Sequence, residues 1–224
     1  MAVSVVGVTT GSAQFATVTL SSHASTLTGD SLVAVCFRDE GYVTSSWTGT
    51  PFTKLGGLDA GTSATTGGRT EVWTGTASAD GATSYSYVDS NNNSTGTVHL
   101  FTLRGAGTPT MATQNNTTSS TSSAAPSVGS GTLDLLLCGW DARSQGSART
   151  WTVPGGMTTA GQINPTGTYI VTVAAYQLSV AAGTKTATLN TASTSLSVAV
   201  QVPSAASSAL ALPPQRRARP NYRR

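Results

Sequence analysis

The sequence predicts an all-β protein: a jelly-roll-like β-sandwich formed from two pseudo-repeated halves, with an extended C-terminal tail. Two observations predict this fold class. Apolar residues occupy every second position in segments such as 196–202, which is the pattern of a strand with one buried face. Turn sequences rich in Gly, Ser and Asn separate these segments at intervals of roughly ten residues, a spacing typical of sandwiches and barrels. Because Glu and Lys are nearly absent, we expect fewer than about a tenth of the residues to be helical.

The two halves are predicted from landmarks that recur at an offset of about 102 residues. Cys36 follows an apolar segment that begins after a small turn, and Cys138 follows a similar segment. Trp47 and Trp151 each begin a Trp-Thr unit further along the chain. A series of landmarks in one order at one offset indicates a duplicated strand unit.

The predicted body spans residues 1–204, with one half at about 1–105 and the other at about 106–204. Residues 205–224 form a linker and an Arg-rich tail. The sequence of each copy predicts about five strands, which are enough for one sheet. A single sheet must bury its apolar face on another sheet. We therefore favour a single sandwich made by both copies, with two separate small sandwiches as the alternative.

The charge of the chain is concentrated in the tail. Charged residues make up only 9% of the sequence, and the net charge is +3. Five arginines lie in the last nine residues. Without them the chain has seven Lys and Arg against nine Asp and Glu, which gives a net charge of about −2. Because the body has no predicted basic face, we do not expect a nucleic-acid partner.

The sequence predicts neither a membrane protein nor an exported precursor. No stretch approaches the ~20 apolar residues of a membrane span. The segment 1–8 has no basic region, and Gly and Thr interrupt the apolar residues that follow it. We therefore expect synthesis in a cytoplasm without a signal peptide.

No motif in the sequence predicts an enzyme, a metal site or a cofactor site. His23 is expected in a solvated turn and His99 inside an apolar strand, whereas a metal site needs several converging ligands. Asp39, Glu40 and Asp141 follow equivalent strands. Paired carboxylates are the groups that hydrolyse glycosides, but adjacent acids in a loop are usually solvated.

The cysteines allow two interpretations. Cys36 and Cys138 occupy equivalent positions, so a disulfide between the halves is conceivable. A cytoplasmic origin keeps thiols reduced, and free Cys is among the most buried residue types. We predict reduced, buried cysteines on neighbouring core strands.

Two features are candidate binding sites. Trp140 follows Gly139 at a predicted strand end, which makes it the candidate for an exposed glycan contact. In the tail, guanidinium groups match carboxylates and phosphates in a bidentate way, and an acidic groove on a neighbouring subunit would suit them. The predicted partner-binding residues are Arg216, Arg217, Arg219, Tyr222, Arg223 and Arg224.

Three segments together resemble a known group of proteins. They are the Gly-Asp-x-Leu-Val-Ala strand at 29–34, the Trp-Thr-x-Pro unit at 151–154 and the Ala-Ala-Gly turn at 181–183. They resemble the Ala/Thr/Gly-rich β-sandwich proteins from structural-gene regions of actinobacterial tailed phages, usually described as minor tail or head decoration proteins. The resemblance covers roughly residues 1–204 and does not include the tail. It implies a virion component on the outside of a head or tail, and no catalytic residues.

Three functional hypotheses follow. The first is a structural protein on the virion surface, made in the host cytoplasm and present in many copies or as a homo-oligomer. Its tail would anchor it to capsid or tail subunits. The second is a glycan-binding receptor or adhesin module that contacts host surface glycans. The third is a glycan-cleaving enzyme, which would require two carboxylates in one cleft.

Overall fold

The protein is built from antiparallel β-strands. A computed structural model describes residues 1–14, 17–39, 44–48, 51–60, 68–89, 94–143, 149–164 and 170–206. The regular secondary structure in these ranges consists of β-strands alone, and every pair of neighbouring strands is antiparallel. The all-β prediction is therefore confirmed. The same ranges contain no helix long and apolar enough to cross a bilayer.

The first half forms two sheets. The large one has the strand order β1-β8-β3-β6-β5, and the small one has the order β2-β7-β4. Their strands are β1 (Ser4–Ala13), β2 (Val18–Ser21), β3 (Ser31–Arg38), β4 (Ser45–Thr48), β5 (Thr53–Asp59), β6 (Arg69–Thr76), β7 (Ser84–Asp89) and β8 (Gly96–Arg104).

The second half contains six strands, two of them long. β14 pairs with β10 in its second part and with β11 in its first part, and β9 follows β14 along most of its length. The strands are β9 (Thr110–Ala125), β10 (Thr132–Arg143), β11 (Trp151–Thr152), β12 (Thr158–Ile163), β13 (Ile170–Ala181) and β14 (Lys185–Val202).

The strand order of the two halves corresponds strand by strand. The first half has β1-β8-β3-β6-β5, and the second half has β9-β14-β10-β13-β12. In the first half Cys36 pairs with Glu71 of the next strand, and in the second half Cys138 pairs with Ala175. The shared strand order allows positions in the two halves to be compared, and the duplication itself stays a prediction.

The two large sheets face each other and enclose the central core. β1 lies against β12, and β5 lies against β9, so the sheets are stacked with opposite strand order. Val35 and Phe37 of β3 face Leu137 of β10 and Val198 of β14 in this core. The predicted β-sandwich is confirmed by this packing. We call the contact between the two large sheets the seam.

Each large sheet also carries an outer layer that the sequence analysis did not predict. On the first half, Tyr85 and Tyr87 of the small sheet cover Cys36 and Leu100. On the second half, the first part of β14 supplies Leu189 to the outer core. Short, hydroxyl-rich strands such as β2 and β4 carry too few apolar residues to be recognised as a sheet in the sequence. The predicted jelly-roll connection of the strands stays a prediction.

Gly139 shows how closely the two sheets meet. A Cβ at this position would lie 2.8 Å from Cζ of Phe37 and 2.9 Å from Cγ1 of Val35. Phe37 and Gly139 both directly follow the equivalent cysteines. The ring from one half therefore occupies the space left by the missing side chain in the other, and any larger residue must displace it.

Candidate functional site

The seam brings together two equivalent carboxylates. Asp39 follows β3, and its Oδ1 accepts a hydrogen bond from the backbone N–H of Thr95 at 2.7 Å. Asp141 lies near the end of β10, and its Oδ1 accepts one from the backbone N–H of Leu196 at 2.6 Å. Each side chain thus satisfies a backbone donor of the neighbouring strand segment in its own half. Both residues are only 5% exposed, which contradicts the expectation of solvated loop acids.

Arg143 connects the two halves beside these acids. One nitrogen of its guanidinium donates to the backbone carbonyl oxygen of Asp39. Ser193 donates from its hydroxyl to the carbonyl oxygen of Arg143 at 3.0 Å, which fixes the backbone of that residue. We call Asp39, Asp141 and Arg143 the seam cluster.

Burial dominates the ionisation of the seam cluster. It raises the pKa of Asp141 to about 7, against the opposing effects of the Leu196 N–H and the Arg143 charge, and the charge of Asp39 adds to the rise. Burial also raises the pKa of Asp39. Asp141 therefore exchanges a proton near neutral pH. Glu40, the third predicted acid, lies outside the described residues.

His99 is a second polar group in the seam. Its Nε2 lies 3.0 Å from the hydroxyl oxygen of Thr172 on the opposite sheet, and its Nδ1 has no hydrogen-bond partner in the described ranges. Burial lowers its pKa to about 3, so the ring is neutral at pH 7. His23 lies against Gly7 and is half-buried, so it is less solvated than predicted.

No group of three or more potential metal ligands occurs among the residues that the structure describes. The described contact of His99 is the one with Thr172 of the opposite sheet.

The outer core of the first half contains a charged network. Glu71 is fully buried, and its Oε1 lies 2.6 Å from Nζ of Lys54 and 2.8 Å from Nε of Arg69. The hydroxyl of Tyr87 donates to Oε2 at 2.6 Å, and Nε1 of Trp73 donates at 3.3 Å. Burial acts to raise the pKa of Glu71, but these hydrogen bonds and charges outweigh it and lower the pKa. We call these five residues the Glu71 network.

The second half replaces this charged core with apolar residues. Arg38 lies over the ring of Tyr87, 4.4 Å from its centroid, and is fully buried. The equivalent positions in the second half hold a tryptophan and two aliphatic residues. In the order Arg38, Glu71 and Tyr87, the counterparts are Trp140, Ala175 and Leu189. The same backbone arrangement therefore accommodates either buried charged side chains or a hydrophobic cluster.

Trp140 is fully buried, so the prediction that it contacts a glycan is wrong. It packs in the outer core of the second half, between Val173 and Ser197 on the flanking strands. The sequence analysis took Gly139 for a strand end, but β10 continues to Arg143. No face of the indole is available for a sugar ring to stack on.

The cysteines are free and buried, as predicted. Their predicted placement on neighbouring strands is wrong, because β3 and β10 belong to different sheets. Val35 and Phe37 face the seam, so the alternation of side chains turns Cys36 to the outer layer of its half. Cys138 likewise faces the outer layer of the second half. Burial raises the pKa of Cys36 and raises that of Cys138 to about 12, which leaves both as unreactive thiols.

The predicted tail residues lie outside the described part of the chain. They are Arg216, Arg217, Arg219, Tyr222, Arg223 and Arg224. The last described segment is held in place: Gly107 donates from its N–H to the carbonyl of Pro203, and Ala205 donates to the carbonyl of Gly105, both at 2.7 Å. The described chain therefore ends at a fixed place on the body, which we call the exit point.

An open groove lies beside this exit point. It has a volume of about 510 Å³, and all twelve of its lining residues are uncharged. They come from the start of β3, the start of β5 with Pro51 before it, the end of β6 and the connection between the halves at 106–109. We call it the terminal groove.

Comparison with known proteins gives no match: no family model, no curated protein and no solved structure is similar to this chain.

Proposed function

We propose that this chain is a non-enzymatic structural protein on the surface of a bacteriophage virion, either a minor tail protein or a capsid decoration protein. Its basic C-terminal tail anchors it to neighbouring capsid or tail subunits, and it acts in many copies per particle. The observation that carries the proposal is the distribution of charge. Five of the twelve basic residues lie in the last nine positions, after a sparsely charged, hydroxyl-rich body. The resemblance to phage virion proteins supplies the type of particle.

The geometry of the exit point supports an anchoring role. Residues 203–205 are hydrogen-bonded to 105–107, so the tail begins at a fixed place on the body. A charge-assisted hydrogen bond from arginine contributes about 1.5–3 kcal/mol when well formed. Two or three such bonds offset the cost of ordering a short segment, and repetition over many copies adds avidity.

The described acids support a structural role for the body. Asp30 forms an ion pair with Arg104 at 2.8 Å, and Glu71 is held by its network. Asp39 and Asp141 each accept a hydrogen bond from a backbone N–H. Each of these carboxylates thus has partners within the fold, which favours a structural protein over a glycan-cleaving enzyme.

The tail proposal is tested by comparing three changes in the encoded protein. One deletes residues 213–224, one replaces the five tail arginines with lysine, and one replaces them with glutamine. The measurement is the amount of this protein in gradient-purified particles from the source of the gene, by immunoblot.

The deletion and the glutamine variant should lose the protein from the particles while the body stays folded and soluble. Lysine keeps the charge but not the bidentate fork, so its variant should attach more weakly and detach at lower salt. Particle levels equal to wild type in the deletion variant would show that the tail is not an anchor.

A glycan-binding module on a phage tail remains the alternative function. Its candidate contact, Trp140, is buried and is not proposed again. Saturable binding of the full-length protein to host surface glycans, combined with unchanged particle levels of the deletion variant, would favour this alternative over the anchor.

A further inference from the structure

The terminal groove and the end of the described chain lie next to each other. Ala106 lines the groove and pairs with Ser204 in an isolated bridge. The neighbouring residue, Ala205, is hydrogen-bonded to Gly105. The eighteen residues from 207 to 224 therefore start within a few residues of the groove wall.

The chemistry of the residues that line the groove indicates which kind of chain segment would bind there. Its walls combine the aliphatic surfaces of Pro51, Ala106 and Pro109 with hydroxyl groups, such as those of Thr53, Thr74 and Thr108. Among the described residues, no charged side chain lines it, so an arginine placed there would lose water without gaining an ionic partner. A matching segment is uncharged, small and aliphatic.

The chain beyond the exit point divides into two parts of different chemistry. Residues 207–214 read Ser-Ser-Ala-Leu-Ala-Leu-Pro-Pro and carry no charge. Residues 215–224 hold all five tail arginines. In the first part, Leu210 and Leu212 are two positions apart, which places both side chains on one face of an extended segment. Only the first part matches the uncharged groove.

Length and proximity favour binding within one chain. Eight extended residues span at most roughly 26 Å, since each residue contributes about 3.3 Å. Attachment through the fixed segment 203–205 keeps residues 207–214 at a high effective concentration near the groove, which a separate partner lacks.

We propose that residues 207–214 dock in the terminal groove of their own chain, with Leu210 and Leu212 against its aliphatic wall. The segment 203–205 is then the first fixed point of the tail, and the docked segment is the second. The arginines at 216–224 extend from this second point. The inference concerns the isolated protein and does not depend on the virion proposal.

Cross-linking of engineered cysteines in the full-length protein tests this inference. One variant combines Thr108→Cys, which is exposed on the groove wall, with Leu210→Cys. A control variant combines Thr132→Cys with Leu210→Cys. Thr132 is also exposed, and it lies near the exit point because Asp134 accepts a hydrogen bond from the N–H of Ser204 at 2.7 Å. The native cysteines are buried and do not compete for the oxidant.

The Thr108 variant should form its disulfide at least about tenfold faster than the Thr132 control under mild oxidation, because docking raises the effective concentration of the two thiols. Peptide mapping should find the bond within one chain, with a rate independent of protein concentration. Adding Leu212→Asp should reduce the rate to that of the control.

Three results would overturn the inference. Equal rates in the two variants would mean that residues 207–214 have no preferred position, and a faster control would mean that they bind elsewhere. Disulfides between chains, with a rate that rises with protein concentration, would assign the groove to the segment of a second copy. Wild-type particle levels in the variant that lacks residues 213–224, together with fast cross-linking of the Thr108 variant, would overturn the proposed function alone.

Discussion

Replacing Asp141 with asparagine measures the cost of burying a carboxylate in the seam. Burial raises the pKa of Asp141 from its ordinary 3.8 to about 7 in the folded protein. In the unfolded chain the carboxyl group has its ordinary pKa, so above pH 4 the unfolded state ionises first. The folded state is therefore favoured at low pH and loses stability as the pH rises towards 7.

The magnitude follows from the difference of about three pKa units. Each unit corresponds to 1.36 kcal/mol, so this residue alone lowers the free energy of unfolding by roughly 4 kcal/mol between pH 4 and pH 8. Asp39, whose pKa burial also raises, contributes in the same direction. Arg143 limits both effects because its positive charge favours the ionised carboxylates.

Urea unfolding of wild type and Asp141→Asn at several pH values between 4 and 8 gives the test. The wild-type protein should lose stability across this range, and the variant should lose markedly less. Asp134→Asn is the control. A hydrogen bond from Ser204 lowers the pKa of Asp134, so this residue changes the free energy of unfolding only at pH values below about 4. A wild-type curve that is flat or rises from pH 4 to 7, or a variant with the wild-type slope, would refute this reasoning.

Three further predictions concern the cores. Glu71→Ala removes the acceptor of the buried Tyr87 hydroxyl and should cost about 1–3 kcal/mol in urea unfolding, and a loss below about 0.5 kcal/mol would contradict the network. Gly139→Val should cost about 1–3 kcal/mol by displacing the ring of Phe37, and Phe37→Ala should relieve part of this cost if the contact is as described. Cys36 and Cys138 should not react with a thiol reagent in the native protein and should react fully in urea, whereas rapid native labelling would place them at the surface.

The sequence predicted those features that depend on local pattern. Alternation in 196–202 predicted a strand with one buried face. The strand is confirmed in β14, but both of its faces are buried there: Val198 packs in the central core, and Ala199 packs in the outer core. Burial of the cysteines followed from the apolar segments before them. Local pattern is informative here because a strand repeats every two residues.

The features that the sequence analysis missed depend on contacts between distant segments. Gly139 looks like a strand end in isolation, and only the ring of Phe37 from the other half explains a glycine in the middle of β10. This mistake led to the exposed position predicted for Trp140. Glu71 gave no signal of its buried partners, because an acid between Thr70 and Val72 is equally compatible with a strand whose polar side chain faces solvent.

The outer layers were missed because their strands are short and hydroxyl-rich. In β7, Tyr85 and Tyr87 alternate with serines, which identifies a strand but not the sheet that it covers. The partner of a strand is set by tertiary packing, and a single sequence does not contain that information.

The most direct test of the central claim is an electron cryomicroscopy map of intact particles from the source of this gene. The account predicts repeated surface density on the head or tail that fits the stacked sheets of residues 1–206. The end of the body that carries residues 203–206 should face the neighbouring subunits, because the tail leaves the body there. Purified, infectious particles that lack this density, and in which mass spectrometry finds none of this protein, would contradict the claim.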